Sequence, residues 1–295
     1  MPPNNNNSTS DLFREMSQLR QQVDRIDLMI LRLLQQRTKL SGLIGKTKRR
    51  HGAVIYVPER EAELLAHVRR LSRGKLSPQA VTAIYREILS GSRAAQGQPA
   101  IGLLQVSMDA VLLPARWWFG ACDEFLPKKT WALLARGLES GALAVALLTG
   151  EDLVEILQVP RTRGQFFGKF AVVGDFSVMS GSKVPLARRI FIVTPRGKGA
   201  ACEANRLLIL IECKSTVNAV KSLLNCMSDR SIRAQQLLPR AKSAPGRAAY
   251  GLVHLSLTNS IDGIHLTSQL LAARQSTGLD ISILGIYTGT EEYGG

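Results

Sequence analysis

LRQQVDRIDLMILRLLQQRTKLSGLIGKTK, residues 19–48, carries one apolar series: Leu19, Val23, Ile26, Ile30, Leu33, then Leu40 and Ile44. The steps alternate between four and three residues, a period of about 3.5, which predicts a helix rather than a strand. No proline occurs between Asp11 and Arg50, so one helix can run through the whole segment. At about 1.5 Å per residue, some 35 to 40 residues span roughly 55 Å. A small domain cannot cover a stripe of that length, so the helix is expected to pack against another chain. Spacing alone would favour an ordinary coiled-coil stalk.

One position breaks the stripe. Midway between Ile30 and Ile44 the series requires an apolar residue and the chain has Arg37. A buried arginine without an anion is costly. Lys48 stands eleven residues further on, and eleven steps of about 100° return to within about 20° of the same face. Two cations therefore line one side of the helix, about 16 Å apart along its axis. Internal carboxylates or a bound anion would satisfy them.

The whole chain supports a search for an anion. Its 295 residues hold 38 Lys+Arg against 23 Asp+Glu, a formal charge of +15, and residues 1–96 alone carry +9. Such an excess points to nucleic acid, anionic lipid or a small polyanion. A hydrophobic content of 45% permits real cores, and the length suits two domains or more. No apolar run approaches the roughly 18 residues of a membrane span. The start, MPPNNNNSTS, lacks the hydrophobic stretch of a secretory signal, so residues 1–10 are expected to be a flexible tail. Cys122, Cys202, Cys213 and Cys226 show no CxxC spacing. With four histidines besides, neither a metal site nor a disulfide scaffold is expected, and a reducing cytoplasmic setting fits.

A second helix should start at Pro58, with Glu59 and Glu61 in its first turn, and end at Gly74. Ser77-Pro78 reads as the cap of a third, with Val81, Ile84, Ile88 and Leu89 inward. Ser92 and Gln96, four apart near its end, share a face. Residues 11–97 thus read as an all-α three-helix domain. Beyond Pro99 the apolar runs IGLLQV (101–106), ALAVALL (142–148), FAVVG (170–174) and RIFIVT (189–194) predict buried strands, with a helix between Trp131 and Gly141. Residues 98–200 are therefore expected to be an α/β region. From residue 206 the predicted order is strand RLLILIEC, helix STVNAVKSLLNCM, a strand near 232–238, strand GLVHLSLT, helix IDGIHLTSQLLAARQ and strand ISILGIY. That is βαββαβ, the ferredoxin-like order, for a third domain over 201–295.

From Leu19 to Gln96, the opening stretch with IYVPERE (55–61) and IYREILSGSRAAQ (84–96) resembles the all-helical (AroQ-class) chorismate mutases. The resemblance implies an intertwined homodimer, paired through the long N-terminal helix, that converts chorismate to prephenate without a cofactor. Arg20 matches the arginine donated across the dimer. Arg37 and Arg60 match the cations that hold the substrate's two carboxylates. Lys48 and Gln96 match the donors to the ether oxygen of the breaking bond. Glu61 matches the acceptor of the ring hydroxyl, and Ser92 a hydroxyl at the carboxylate end. Val57 stands where the family usually has aspartate; if its backbone N–H makes the contact, only a modest loss is expected. Helical phase adds one independent point. Arg20 precedes Arg37 by seventeen residues, which turns it about 100° away from the Arg37–Lys48 face and suits donation to a partner.

The chemistry of that reaction fits this inventory. A pericyclic rearrangement uses no nucleophile, metal or proton transfer; it needs the compact conformer held and the growing charge on oxygen stabilised. Arginines suit planar carboxylates, and Lys48 with a neutral Gln96 aims donors at the oxygen.

The rest of the chain resembles prephenate dehydratase followed by an ACT-type regulatory domain, the order found in bifunctional enzymes. ARWWFG (115–120), ESGALAVALL (139–148) and ILGIY (283–287) carry the resemblance. The dehydratase motifs depart from the pattern: LTGED (148–152) replaces a proline-isoleucine-glutamate-asparagine-serine run, Arg188-Arg189-Ile190 lacks the expected threonine, and LLPR (237–240) is all that matches the effector segment. An inactive or altered dehydratase-like region is expected, with an amino-acid effector at the ACT-like domain. Two alternatives stay open: an active bifunctional mutase–dehydratase regulated by phenylalanine, and a non-enzymatic ACT-type regulator. Nucleic acid is disfavoured, because the run Lys46, Lys48, Arg49, Arg50 has no interleaved aromatics. Arg49 and Arg50 read as a solvated helix end, and Trp117-Trp118 as core or interface.

Overall fold

A computed structural model describes residues 6–72, 74–177, 185–197, 203–213, 216–226, 233–237 and 249–287. Helix α1 (Asn6–Arg50) is 45 residues long and starts inside the stretch expected to be a tail. Helix α2 (Pro58–Leu71) opens with proline in its first turn beside Glu59 and Glu61. Helix α3 (Pro78–Gln96) is capped by Ser77, whose Oγ accepts from the Ala80 N–H at 3.1 Å, and closed by Gly97 in the left-handed region at φ 71°.

Only the C-terminal half of α1 is shielded by the chain. Leu34, Arg37, Ser41, Gly45 and Lys48, at steps of three and four, are sheltered, and Gly42 with them. Gly45 permits the approach to α3, because a Cβ there would lie 2.6 Å from the Gln96 carbonyl oxygen. The apolar stripe faces outward: Leu19, Val23, Ile26, Ile30, Leu33, Leu40 and Ile44 are all 49–64% exposed.

The α/β region follows as β1 (Ala100–Leu104), a short 3-10 turn, α4 (Met108–Phe119), β2 (Phe125–Lys128), α5 (Trp131–Glu139), β3 (Leu143–Thr149), α6 (Gly150–Gln158), α7 (Pro160–Lys169), β4 (Phe170–Phe176) and β5 (Ile190–Pro195). The strand order is β2-β1-β3-β5-β4, parallel among the first three and antiparallel among the last three. Val145 and Leu147 face one core with α4, while Ala146 and Leu148 face another with α5, α6 and α7. Burial on both faces explains why these strands read as unbroken apolar runs.

Four elements went unread in the sequence. The strand expected over 101–106 stops at Leu104, and α4 follows with Pro114 inside it. The edge strand β2 is four residues long and contains proline. Helix α6 begins with no loop after β3, and α7 is punctuated by Gly164 and Gly168. LTGED is that strand-to-helix junction: the Thr149 hydroxyl accepts from the Asp152 N–H, and the Asp152 carboxylate accepts from the Thr149 N–H.

The last part contains β6 (Glu203–Cys213), α8 (Thr216–Cys226), β7 (Arg233–Leu237), β8 (Ala249–Asp262), α9 (Gly263–Thr277) and β9 (Asp280–Tyr287). The expected βαββαβ order is the observed one, in an antiparallel sheet ordered β7-β8-β6-β9. Helices α8 and α9 cover one face through Leu223, Leu266 and Leu270. The other face joins the α/β core, where Leu208, Leu210, Leu252, Leu284 and Tyr287 meet Phe170, Val172, Phe191 and Val193. At this junction Arg189 donates to Asp175, and the His254 Nε2 lies 3.7 Å from the same carboxylate. Most of LLPR lies outside the described residues.

Candidate active site in the helical domain

The site grows from the α1–α3 contact. Arg37 reaches α3, where its Nη1 donates to the Ser92 Oγ and to the Ile88 carbonyl at 3.3 Å. Ser92 is buried, and its hydroxyl donates to the same carbonyl at 2.7 Å. One turn on, Gln96 donates from Nε2 to the Ser92 carbonyl at 3.2 Å, and its Oε1 is buried without a hydrogen-bond partner among the described residues.

Lys48 lies at the end of α1, where its Nζ donates to the Ile55 carbonyl at 2.7 Å. The intervening loop carries Val57, which has extended backbone at the head of α2 and accepts the Glu61 N–H at 3.2 Å. Both Glu61 oxygens accept from the Arg93 Nη1, at 2.6 and 2.7 Å. Burial raises the Glu61 pKa, and the opposing charges of Arg93 and Lys48 only partly offset it. Burial likewise lowers the Lys48 pKa, against the pull of Glu61.

One chain therefore assembles Arg37, Lys48, Val57, Glu61, Ser92 and Gln96 from the facing parts of α1, α2 and α3. It leaves two expected residues outside. Arg60 is exposed and paired with Glu63 at 2.9 Å. Arg20 lies on the exposed N-terminal part of α1.

Arg93 is the residue that sequence reading missed. It is 3% exposed and bonds to Glu61, to Asp123 and to the Phe119 carbonyl. The buried positions of α3 include Thr82, Arg86, Ser90 and Arg93. Their steps are helical but their side chains are polar, so an apolar count does not register the face. Ile84, expected inward, is 49% exposed instead. Arg49 is more than a solvated helix end: its Nη1 donates to the Gln96 carbonyl. Trp117 and Trp118 carry the Arg86 guanidinium at 4.0 and 4.8 Å from their ring centres, and Trp118 stacks on Phe176 at 4.9 Å.

Residues 19–97 match the family described as chorismate mutase type II. The chain is 36% identical over 122 residues to a bifunctional chorismate mutase/prephenate dehydratase of Aquifex aeolicus (strain VF5), covering 40% of this chain and 34% of that protein. It is 31% identical over 103 residues to the T-protein of Enterobacter agglomerans, covering 35% of this chain and 28% of that one. The match thus spans about a third or less of the length of these curated relatives. Among solved structures, a prephenate dehydratase from Streptococcus mutans aligns with 65% of this chain and 98% of its own, at 18% identity and a TM-score of 0.38. The chain carries a chorismate mutase type II domain at its N-terminus, followed by an α/β region. Among the described residues no helix is long and apolar enough to cross a membrane.

Proposed function

We propose that this chain is a chorismate mutase, active as a homodimer whose copies pair along α1, in cytoplasmic aromatic amino acid biosynthesis. The exposed stripe from Leu19 to Ile44 carries the reading. Burying a large apolar side chain contributes roughly 1.5–3 kcal/mol, so a single chain forgoes a large stabilisation that a second copy would supply. The same pairing would bring the partner's Arg20 to a site that lacks it. Arg37 and Arg20 would then hold the carboxylates, with Arg60 swinging in from its exposed pair with Glu63. Lys48 and Gln96 would donate to the ether oxygen as its charge grows, and Glu61 would accept from the ring hydroxyl.

The α/β region is read as dehydratase-like in arrangement but not in activity. Thr149 and Asp152 are occupied in capping α6, and Arg189 is buried against Asp175. The βαββαβ unit is read as an ACT-like domain that takes an amino acid.

The loss of chorismate absorbance by purified protein tests the mutase reading, and Arg37→Ala should abolish it while circular dichroism still shows the helices. Turnover that survives Arg37→Ala would refute the site. Phenylpyruvate formation in the same reaction would refute the inactive-dehydratase reading, and a response to added phenylalanine would support the effector.

A further inference from the structure

We propose that Arg93 is a positioning residue for the mutase reaction: it aligns Glu61, and Asp123 of the α/β region aligns Arg93. The proposal rests on the mutase reading above. All three guanidinium nitrogens are engaged. Nη1 donates to both Glu61 oxygens, at 2.6 and 2.7 Å. Nε and Nη2 donate to Asp123 at 3.3 and 2.8 Å, and Nη2 also donates to the Phe119 carbonyl. Asp123 is itself fixed, accepting from the Ser90 hydroxyl at 2.9 Å and the Gln98 amide at 3.0 Å.

Accessibility separates the roles. The side chains of Arg93 and Asp123 are each 4% exposed, and that of Glu61 is 22% exposed. So little of either buried member is open to the site that their effect is read as running through Glu61, the most exposed of the three. An ionised carboxylate offers about four lone-pair positions; Arg93 uses two, which leaves the outward pair for a hydroxyl donor. The charged and titratable groups around Glu61 are Lys48 from α1, Tyr56 from the α1–α2 loop, Arg93 from α3 and Asp123 from the α4–β2 loop. Arg86 and Asp175 also line the crevice beside it. The two carboxylates compete for one cation. Arg93 favours the ionised form of Glu61 and Asp123 opposes it.

That competition predicts shifts of opposite sign. In the full-length protein, Arg93→Lys and Arg93→Met should move the acid limb of kcat/KM to higher pH and lower its plateau about tenfold, the methionine variant more. Asp123→Asn keeps the shape of the side chain, frees the guanidinium for Glu61 and should move the limb to lower pH. Carboxyl-carbon NMR titration of Glu61 in the same proteins should follow the same directions. If Arg93→Met does not fold, the lysine and asparagine variants carry the comparison. Limbs and titrations that stay in place, or that move the same way in both classes of variant, would overturn the proposal. A wild-type protein without chorismate turnover would overturn the mutase reading and with it any catalytic consequence of Arg93, whereas active protein with unmoved limbs would overturn the positioning role alone.

Discussion

Glu61 and Lys48 face each other across the site, and burial pushes each toward its neutral form. An ionised carboxylate accepts from a hydroxyl more strongly than a neutral acid does, and a lysine that donates to a developing oxyanion acts best when protonated. Turnover should therefore fall on the acid side above the range of an ordinary glutamate, and on the alkaline side below that of an ordinary lysine. A pH profile of kcat/KM checks both limbs. Gln96 donates at any ordinary pH, so Gln96→Glu should add a new loss of rate toward neutral pH that the native enzyme lacks. Lys48→Ala should cost about 100-fold or more in kcat, the usual effect of removing one preorganised oxyanion donor. Arg37 was legible at this scale because a cation interrupted an apolar count. Arg93 was not, because its neighbours Thr82, Arg86 and Ser90 form a buried polar face.

Among the elements, α1 and α3 decide the site, and Gly45 sets their distance. Gly45→Ala would place a methyl group against the Gln96 backbone. It should lower stability by about 1–3 kcal/mol in denaturant titrations and displace Gln96. In the N-terminal part of α1, which nothing among the described residues covers, Ile30→Glu puts a charge into the exposed stripe. Sedimentation should then show the dimer dissociating, with turnover lost in parallel. The helices of the first domain were readable because each carries its own signals: Pro58, Ser77-Pro78, Gly97 and a sustained 3.5-residue period. Helices α6 and α7 were hidden by their junctions. Helix α6 inherits the apolar texture of β3 without an intervening loop, and the capping pair Thr149–Asp152 is a lone polar signal at that junction.

Taken as a whole, the molecule ties its parts together with buried charge as well as apolar surface. Tyr56 from the helical domain packs in the same core as Phe119 and Phe176 of the α/β region. Leu284 and Tyr287 of the last domain share the other core with Phe170 and Phe191. The order of elements in the first and last parts could be read from sequence signals, but α4, β2, α6 and α7 of the α/β region could not, nor could the way the sheets share a core, since a strand buried on both faces does not say what covers it. At their junction, burial alone would raise the Asp175 pKa, yet His254, Arg189 and Arg206 hold it well below the usual aspartate range. The sign follows from that depression: the stabilisation is complete above the unfolded aspartate range and is lost as pH falls toward the folded value. Asp175→Asn should remove it, at a cost of about 3–5 kcal/mol for breaking a buried pair, measured by denaturant titration at neutral pH. The most direct test of the whole account mixes Arg20→Ala chains with Arg37→Ala chains, each inactive alone, and follows chorismate loss. Partial recovery through hybrid dimers is the predicted result; mixtures as inactive as their parents, beside an active wild type, would contradict a site shared between two copies of α1.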